Sequence, residues 1–161
     1  MKMYCDLDGV FADFARGVFE ITGVYPEQLS TKELWNQLKR VDHFYLTLVP
    51  IPGTIKWFKE LHRRSLLPIE MLTGLPVPAG KFSTAAEDKR VWVKQYLDRH
   101  IPVNCTTRRG DKVKFIESST DVLIDDNDQI IKDWNAAGGV GIVHVNWKMT
   151  FSELTKFGVL R

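Results

Sequence analysis

The sequence predicts an α/β chain: a three-layer sandwich with a parallel central sheet of about five strands and a small helical cap inserted after the first strand. Three observations lead there. Short apolar runs of strand length alternate with segments whose apolar residues recur at helical spacing. Strands that alternate with helices are joined by crossovers, which makes neighbouring strands parallel and covers both faces of the sheet. Residues 11–50 interrupt the alternation with helical patterns and no convincing strand. The whole chain, 1–161, therefore reads as one Rossmann-like domain carrying that cap.

In order along the chain, residues 2–7 (KMYCDL) form a buried strand whose carboxyl end carries Asp6. Residues 10–22 place Val10, Phe11, Phe14, Ala15, Val18 and Ile21 on one helical face. A second helix covers 31–40, with Thr31 as its cap and Leu34, Trp35 and Leu38 together. Phe44 to Val49 is apolar and of either type, and Pro50-Ile51-Pro52-Gly53 ends it. A helix follows over 53–64, then a strand over 66–72 that leads into Thr73-Gly74. Pro76, Pro78 and Gly80 mark a loop before a long helix over 85–99. A weak strand at 101–106, a short helix at 111–117 and a strong strand at 121–125 (DVLID) come next. A helix over 127–136 and a strand over 140–145 complete the pattern.

Composition limits the function. Hydrophobic residues make up 44% and charged residues 26%, which suits a folded domain with its own core. A net charge of +2 gives no reason to expect nucleic acid as a partner. Cys5 and Cys105 are far apart and form no metal or disulfide pattern, so Cys5 is expected as a small core residue. No apolar stretch approaches the roughly 18 residues a membrane helix needs. Asp6 and Asp8 interrupt the N-terminal apolar run, so no signal peptide is expected. A reduced, cytoplasmic setting and no membrane partner are the matching expectations. Nothing in the sequence bears on oligomeric state.

Open parallel sheets bind ligands at the carboxyl ends of their strands. Polar residues gather there: Asp6 and Asp8 after the first strand, Thr73 after the second, Asp125 and Asp126 after the fourth. Alone, a D-x-D-G or a D-D pair is more often a turn or a helix cap. Together on separate strands they describe a site. Clustered carboxylates need a cation or basic groups to stay charged, and an all-oxygen set suits Mg²⁺. Lys89 and Lys112 are basic candidates, and Gly9 lets backbone amides approach a phosphate closely. The four histidines show no ligand spacing, and Gly138-Gly139-Val140-Gly141 follows a helix, as a stop signal does.

The order DLDGV (6–10), MLTG (71–74), GDKVKF (110–115) and LIDDND (123–128) resembles the haloacid dehalogenase superfamily. The segments DLDGVFADF, LVPIPGTIKWFKEL, EDKRVWVKQYL, TRRGDK and DVLIDDND are similar to its 5'(3')-deoxyribonucleotidase branch, over most of residues 3–128. The resemblance implies a Mg²⁺-dependent phosphomonoester hydrolase. Asp6 would attack phosphorus, and Asp8 would act as acid and then as base. Mg²⁺ would be held by Asp6, the carbonyl of Asp8, and Asp125 or Asp126, which stay undivided between direct and water-mediated binding. Thr73 would bond the phosphoryl group, Lys112 would neutralise charge, and Lys89 would add a phosphate contact. Phe14 matches a stacking position for a base, and Phe44 and Tyr45 are further candidates, weighed against plain packing; Trp35 is expected in the core of the insertion.

Two departures bear on the substrate. The family's Thr-Ser is Thr73-Gly74 here, which removes a hydroxyl. Its Arg-Asp-Lys is one residue longer here, so Arg108 and Arg109 both claim the basic position; Arg109 is counted with Gly74 among the substrate contacts. The expected substrate is a nucleoside monophosphate. The alternatives are removal of a phosphate from a polynucleotide end and a fold that binds phosphate ligands without turnover.

Overall fold

The computed structural model describes residues 1–77 and 80–161, apart from the side chain of Arg109. Pro78, expected in a loop, lies outside them. Strands β1 (Met3–Cys5), β2 (Ile69–Gly74), β3 (Val103–Thr106), β4 (Val122–Asp125) and β5 (Val140–Val143) form one sheet in the order β3-β2-β1-β4-β5. Every pairing is parallel. Strand order reverses between β1 and β4, so a crevice opens between their carboxyl ends.

Alternation along the strands assigns each face its helices. Met3, Cys5, Met71, Val122 and Ile124 point to one side and pack with Phe58 and Leu61 of α4 (Thr54–Arg64). Trp92 and Val93 of α5 (Ala85–Tyr96) and Trp147, Phe151 and Leu154 of α7 (Trp147–Lys156) complete that layer. Tyr4, Leu72 and Leu123 point to the other side, against Ile130, Ile131 and Trp134 of α6 (Asp128–Ala136). Cys5 is part of this core, and burial holds its thiol well above the usual range. Among the described residues no helix is long and apolar enough to cross a membrane.

Several elements differ from expectation. Residues 10–13 are not helical. Leu7 O accepts from both Phe11 N and Ala12 N, Gly9 turns at φ 79, and α1 begins only at Phe14 (Phe14–Thr22), capped by Asp13. Val10 and Phe11 are buried because this loop folds over the sheet's end, which imitates helical spacing. The cap of α2 (Thr31–Leu38) is Ser30, not Thr31, because Ser30 and Glu33 satisfy each other's backbone N–H groups. The ambiguous apolar stretch holds a single helical turn, α3 (Phe44–Thr47). Residues 109–115 form a 3-10 helix, and α7 was not expected at all.

Segment 14–48 leaves and rejoins the sheet domain at one place. Asp13 N donates to Val49 O at 2.9 Å, and Ile51 N donates to Phe11 O at 2.8 Å. That pinning sets α1, α2 and α3 beside the carboxyl end of β1.

Candidate functional site

Asp6 follows β1 directly, and its N–H donates to Ile124 O at 2.8 Å, which continues the ladder by one residue. Its carboxylate is thereby fixed at the crevice, where the residue is 8% exposed. Lys112, 2% exposed, reaches in from the 3-10 helix. Its ammonium lies 2.9 Å from Asp6 Oδ1 and 2.7 Å from Asp125 Oδ2. Burial works against its charge, but Asp6 and Asp125 outweigh that and hold its pKa above the usual value.

Asp125 ends β4, and its other oxygen accepts from Asn127 N at 2.9 Å. Asn127, rather than either aspartate, caps α6, with its side chain accepting from Gln129 N and Ile130 N. Burial first, and then the charge of Asp6, push Asp125 up to about 6. Asp126 is pushed up to about 7 by desolvation and by Asp6 and Asp125. Its carboxyl packs on Gly9 so closely that a Cβ there would lie 2.7 Å from Asp126 Cγ.

Asp8 is turned away from this group. Its Oδ2 accepts from Lys89 Nζ at 2.6 Å, and Lys89 also donates to Thr73 Oγ1 at 2.9 Å. Burial raises the pKa of Asp8; Lys89 opposes the rise and Asp6 adds to it.

The donor set fits a hard divalent cation. Asp6, Asp125 and Asp126 each offer an oxygen, and these lie within 4.8 Å of one another. Asp6 Oδ1 and Asp8 Oδ1 are buried without an aligned hydrogen-bond donor among the described residues.

Above the carboxylates opens a cleft of about 410 Å³. Asp6, Asp8, Gly9, Phe14, Tyr45, Thr73, Gly74, Lys112, Asp125 and Asp126 all line it. The structure thus gathers most of the residues singled out from the sequence. Gly74 leaves open space among the described residues, since a Cβ added there meets none of their atoms within 4 Å.

Three placements refine the expectations. Phe44 takes the packing role weighed for it rather than a place in the cleft: it is buried edge-on to Phe14 and Tyr45, because α3 presents it to the core. Lys89, expected at the substrate, is 0% exposed and stands behind Asp8 and Thr73. Trp35, expected in the core, packs against it partly buried and also forms part of the cleft wall, next to Phe14 and Phe82. Pro26, Leu34, Leu75 and Ile130 complete an apolar side that sequence reasoning missed. Their apolar character was visible, but not the direction each faces. The side chain of Arg109 lies outside the described residues, so its expected contact has no placement.

No protein-family model matches the sequence, and neither does any curated protein sequence. Among solved structures, the fold is shared with a hydrolase from Pseudomonas syringae. That similarity has a TM-score of 0.52 at 12% identity, over 99% of this chain and 91% of the other. A HAD hydrolase, family IA, variant 3, from Entamoeba histolytica HM-1:IMSS is also similar. It gives a TM-score of 0.45 at 16% identity, over 96% of this chain and 88% of the other.

Proposed function

We propose that this chain is a Mg²⁺-dependent phosphomonoester hydrolase that works through an aspartyl-phosphate on Asp6, with a nucleoside monophosphate as substrate. One observation carries the reading. Asp6 is held at the switch point of a parallel sheet, at the floor of a cleft, between a buried lysine and two further carboxylates. The shared fold with a hydrolase is consistent with it.

In the first step an oxygen of Asp6 attacks phosphorus, the bond from phosphorus to the leaving oxygen breaks, and Asp8 gives that oxygen its proton. In the second, water attacks phosphorus, Asp8 takes the water's proton, and the bond to Asp6 breaks, releasing phosphate. Lys112 holds the Asp6 carboxylate in place and offsets charge on the phosphoryl group. Thr73 lies in the cleft beside Asp8, where its hydroxyl meets the phosphoryl oxygens. Mg²⁺ would be held by Asp6, the Asp8 carbonyl and the Asp125–Asp126 pair; when bound it supplies positive charge to the phosphoryl oxygens.

Phe14, Trp35 and Tyr45 give the cleft an aromatic side suited to a nucleobase. Helices α1 to α3, pinned at one place, form a cap over the carboxylates. A cleft of about 410 Å³ suits a mononucleotide better than a polynucleotide end. The test is phosphate release from 5'- and 3'-nucleoside monophosphates, ribo and deoxy, a sugar phosphate and a phosphorylated oligonucleotide, with Mg²⁺ and with a chelator. Metal-dependent turnover favouring mononucleotides is expected. Turnover on the oligonucleotide alone moves the function to end processing, and binding without turnover on any substrate sinks the hydrolase.

A further inference from the structure

Lys89 has a setting that a phosphate contact does not need. It is fully buried on α5, while Asp8, Thr73 and Tyr45 stand between it and the cleft. Its ammonium donates to Asp8 Oδ2 and to Thr73 Oγ1, and lies 4.4 Å from the centroid of the Tyr45 ring. A lysine ammonium has three N–H bonds. Two go to oxygens, and the aromatic face covers the remaining side, where it stabilises the cation. No face of the group is left for a substrate oxygen.

The packing around it is fixed from the cap. Asp88, the neighbour of Lys89, is 3% exposed and accepts from Thr84 Oγ1 at 2.9 Å. Its other oxygen lies 2.9 Å from His43 Nδ1. His43 adopts φ 51, a left-handed conformation that non-glycine residues seldom take. Phe44 and Tyr45 follow directly and open α3. The His43–Asp88 contact therefore anchors the turn that lays Tyr45 over Lys89.

Resting on the phosphatase reading, we infer that Lys89 is a positioning residue for Asp8 and does not contact the substrate's phosphate. It holds the Asp8 carboxylate in one orientation through Oδ2 at 2.6 Å, beside the cleft that Asp8 lines. The ammonium of Lys89 is needed where the leaving oxygen must receive a proton from a well-placed Asp8, and matters little where that oxygen leaves unaided.

The test uses Lys89→Met on the intact protein with Mg²⁺, comparing a nucleoside monophosphate with p-nitrophenyl phosphate. The nucleoside alkoxide needs protonation to leave; the nitrophenolate does not. For the nucleotide, kcat should fall about 10- to 100-fold while KM stays within about twofold. The kcat/KM for p-nitrophenyl phosphate should fall less than about threefold, and inhibition by inorganic phosphate should be unchanged. Equal losses on both substrates with weakened phosphate inhibition would make Lys89 a phosphate contact and overturn the assignment. Unchanged kinetics would overturn it as well. If Lys89→Met does not fold, Lys89→Arg keeps the charge but its planar group cannot take the ammonium's place. The same split between substrates is expected of it, and equal losses would count against the assignment. A wild-type protein that hydrolyses neither compound overturns the phosphatase reading itself, and this assignment with it.

Discussion

Replacing Gly9 by alanine should damage the site through two separable effects. Gly9 sits at φ 79, where an alanine costs about 1–2 kcal/mol. The added Cβ would also collide with the Asp126 carboxylate, lying 2.7 Å from its Cγ, so Asp126 has to move. Asp126 belongs to the acidic trio proposed to hold Mg²⁺, and displacing such a group lowers metal affinity about 10- to 100-fold. Urea unfolding reads the first effect, and the Mg²⁺ dependence of phosphate release reads the second. Gly74→Ala is the control. Its Cβ meets nothing within 4 Å and its backbone is ordinary strand, so its stability should change by less than about 0.5 kcal/mol. A Gly9→Ala protein whose Mg²⁺ midpoint stays within about twofold of wild type would refute the reasoning, because Asp126 would then have no part in metal binding.

Two further outcomes follow from side chains around the sheet's carboxyl end. Trp35→Ala should raise KM for nucleoside monophosphates about 5- to 100-fold, the range of a lost base–aromatic stack, and leave a sugar phosphate nearly unaffected; steady-state kinetics on both would show it, and equal effects would move Trp35 out of the base site. His144 is partly buried against Trp147 with Nδ1 2.8 Å from Thr150 Oγ1, and burial holds its imidazole down to about 4. Its folded pKa lies below the unfolded one, so its contribution is complete above the unfolded value near 6.5 and is lost as pH falls toward 4. Between pH 7 and pH 5 the wild type should therefore lose about 1–2 kcal/mol relative to His144→Gln, with the ring's partial exposure allowed for. The acidic site is common to both proteins and cancels in that difference; parallel pH profiles in urea unfolding would contradict the assignment.

Much of the fold was legible because a parallel sheet buried on both faces writes itself as short apolar runs. The DVLID run is one, and the observed β4 lies inside it. The acids were legible because each stands where such a run stops. What failed did so for physical reasons. Val10 and Phe11 are fully buried in a loop, and burial alone gives the same apolar letters as a helix. The signal for α7 was present: Trp147, Phe151 and Leu154 recur at helical spacing behind Asn146, whose side chain caps the helix. Packing and a cleft role stayed open for Phe44, and the cleft-facing side of Trp35 went unseen, because residue type carries apolarity but not direction. The resemblance implied a phosphate contact for Lys89, and only its depth shows that its ammonium is occupied by protein groups.

The most direct test of the central claim is whether Asp6 carries phosphate during turnover. Wild-type protein with Mg²⁺ and a nucleoside monophosphate, quenched in acid within one turnover, should yield a peptide containing Asp6 that is heavier by one phosphoryl group. Hydroxylamine should remove that mass, as it does from an acyl phosphate, and Asp6→Asn should neither turn over nor label. Turnover with no labelled peptide, with the label on another residue, or with full activity in Asp6→Asn would contradict the account.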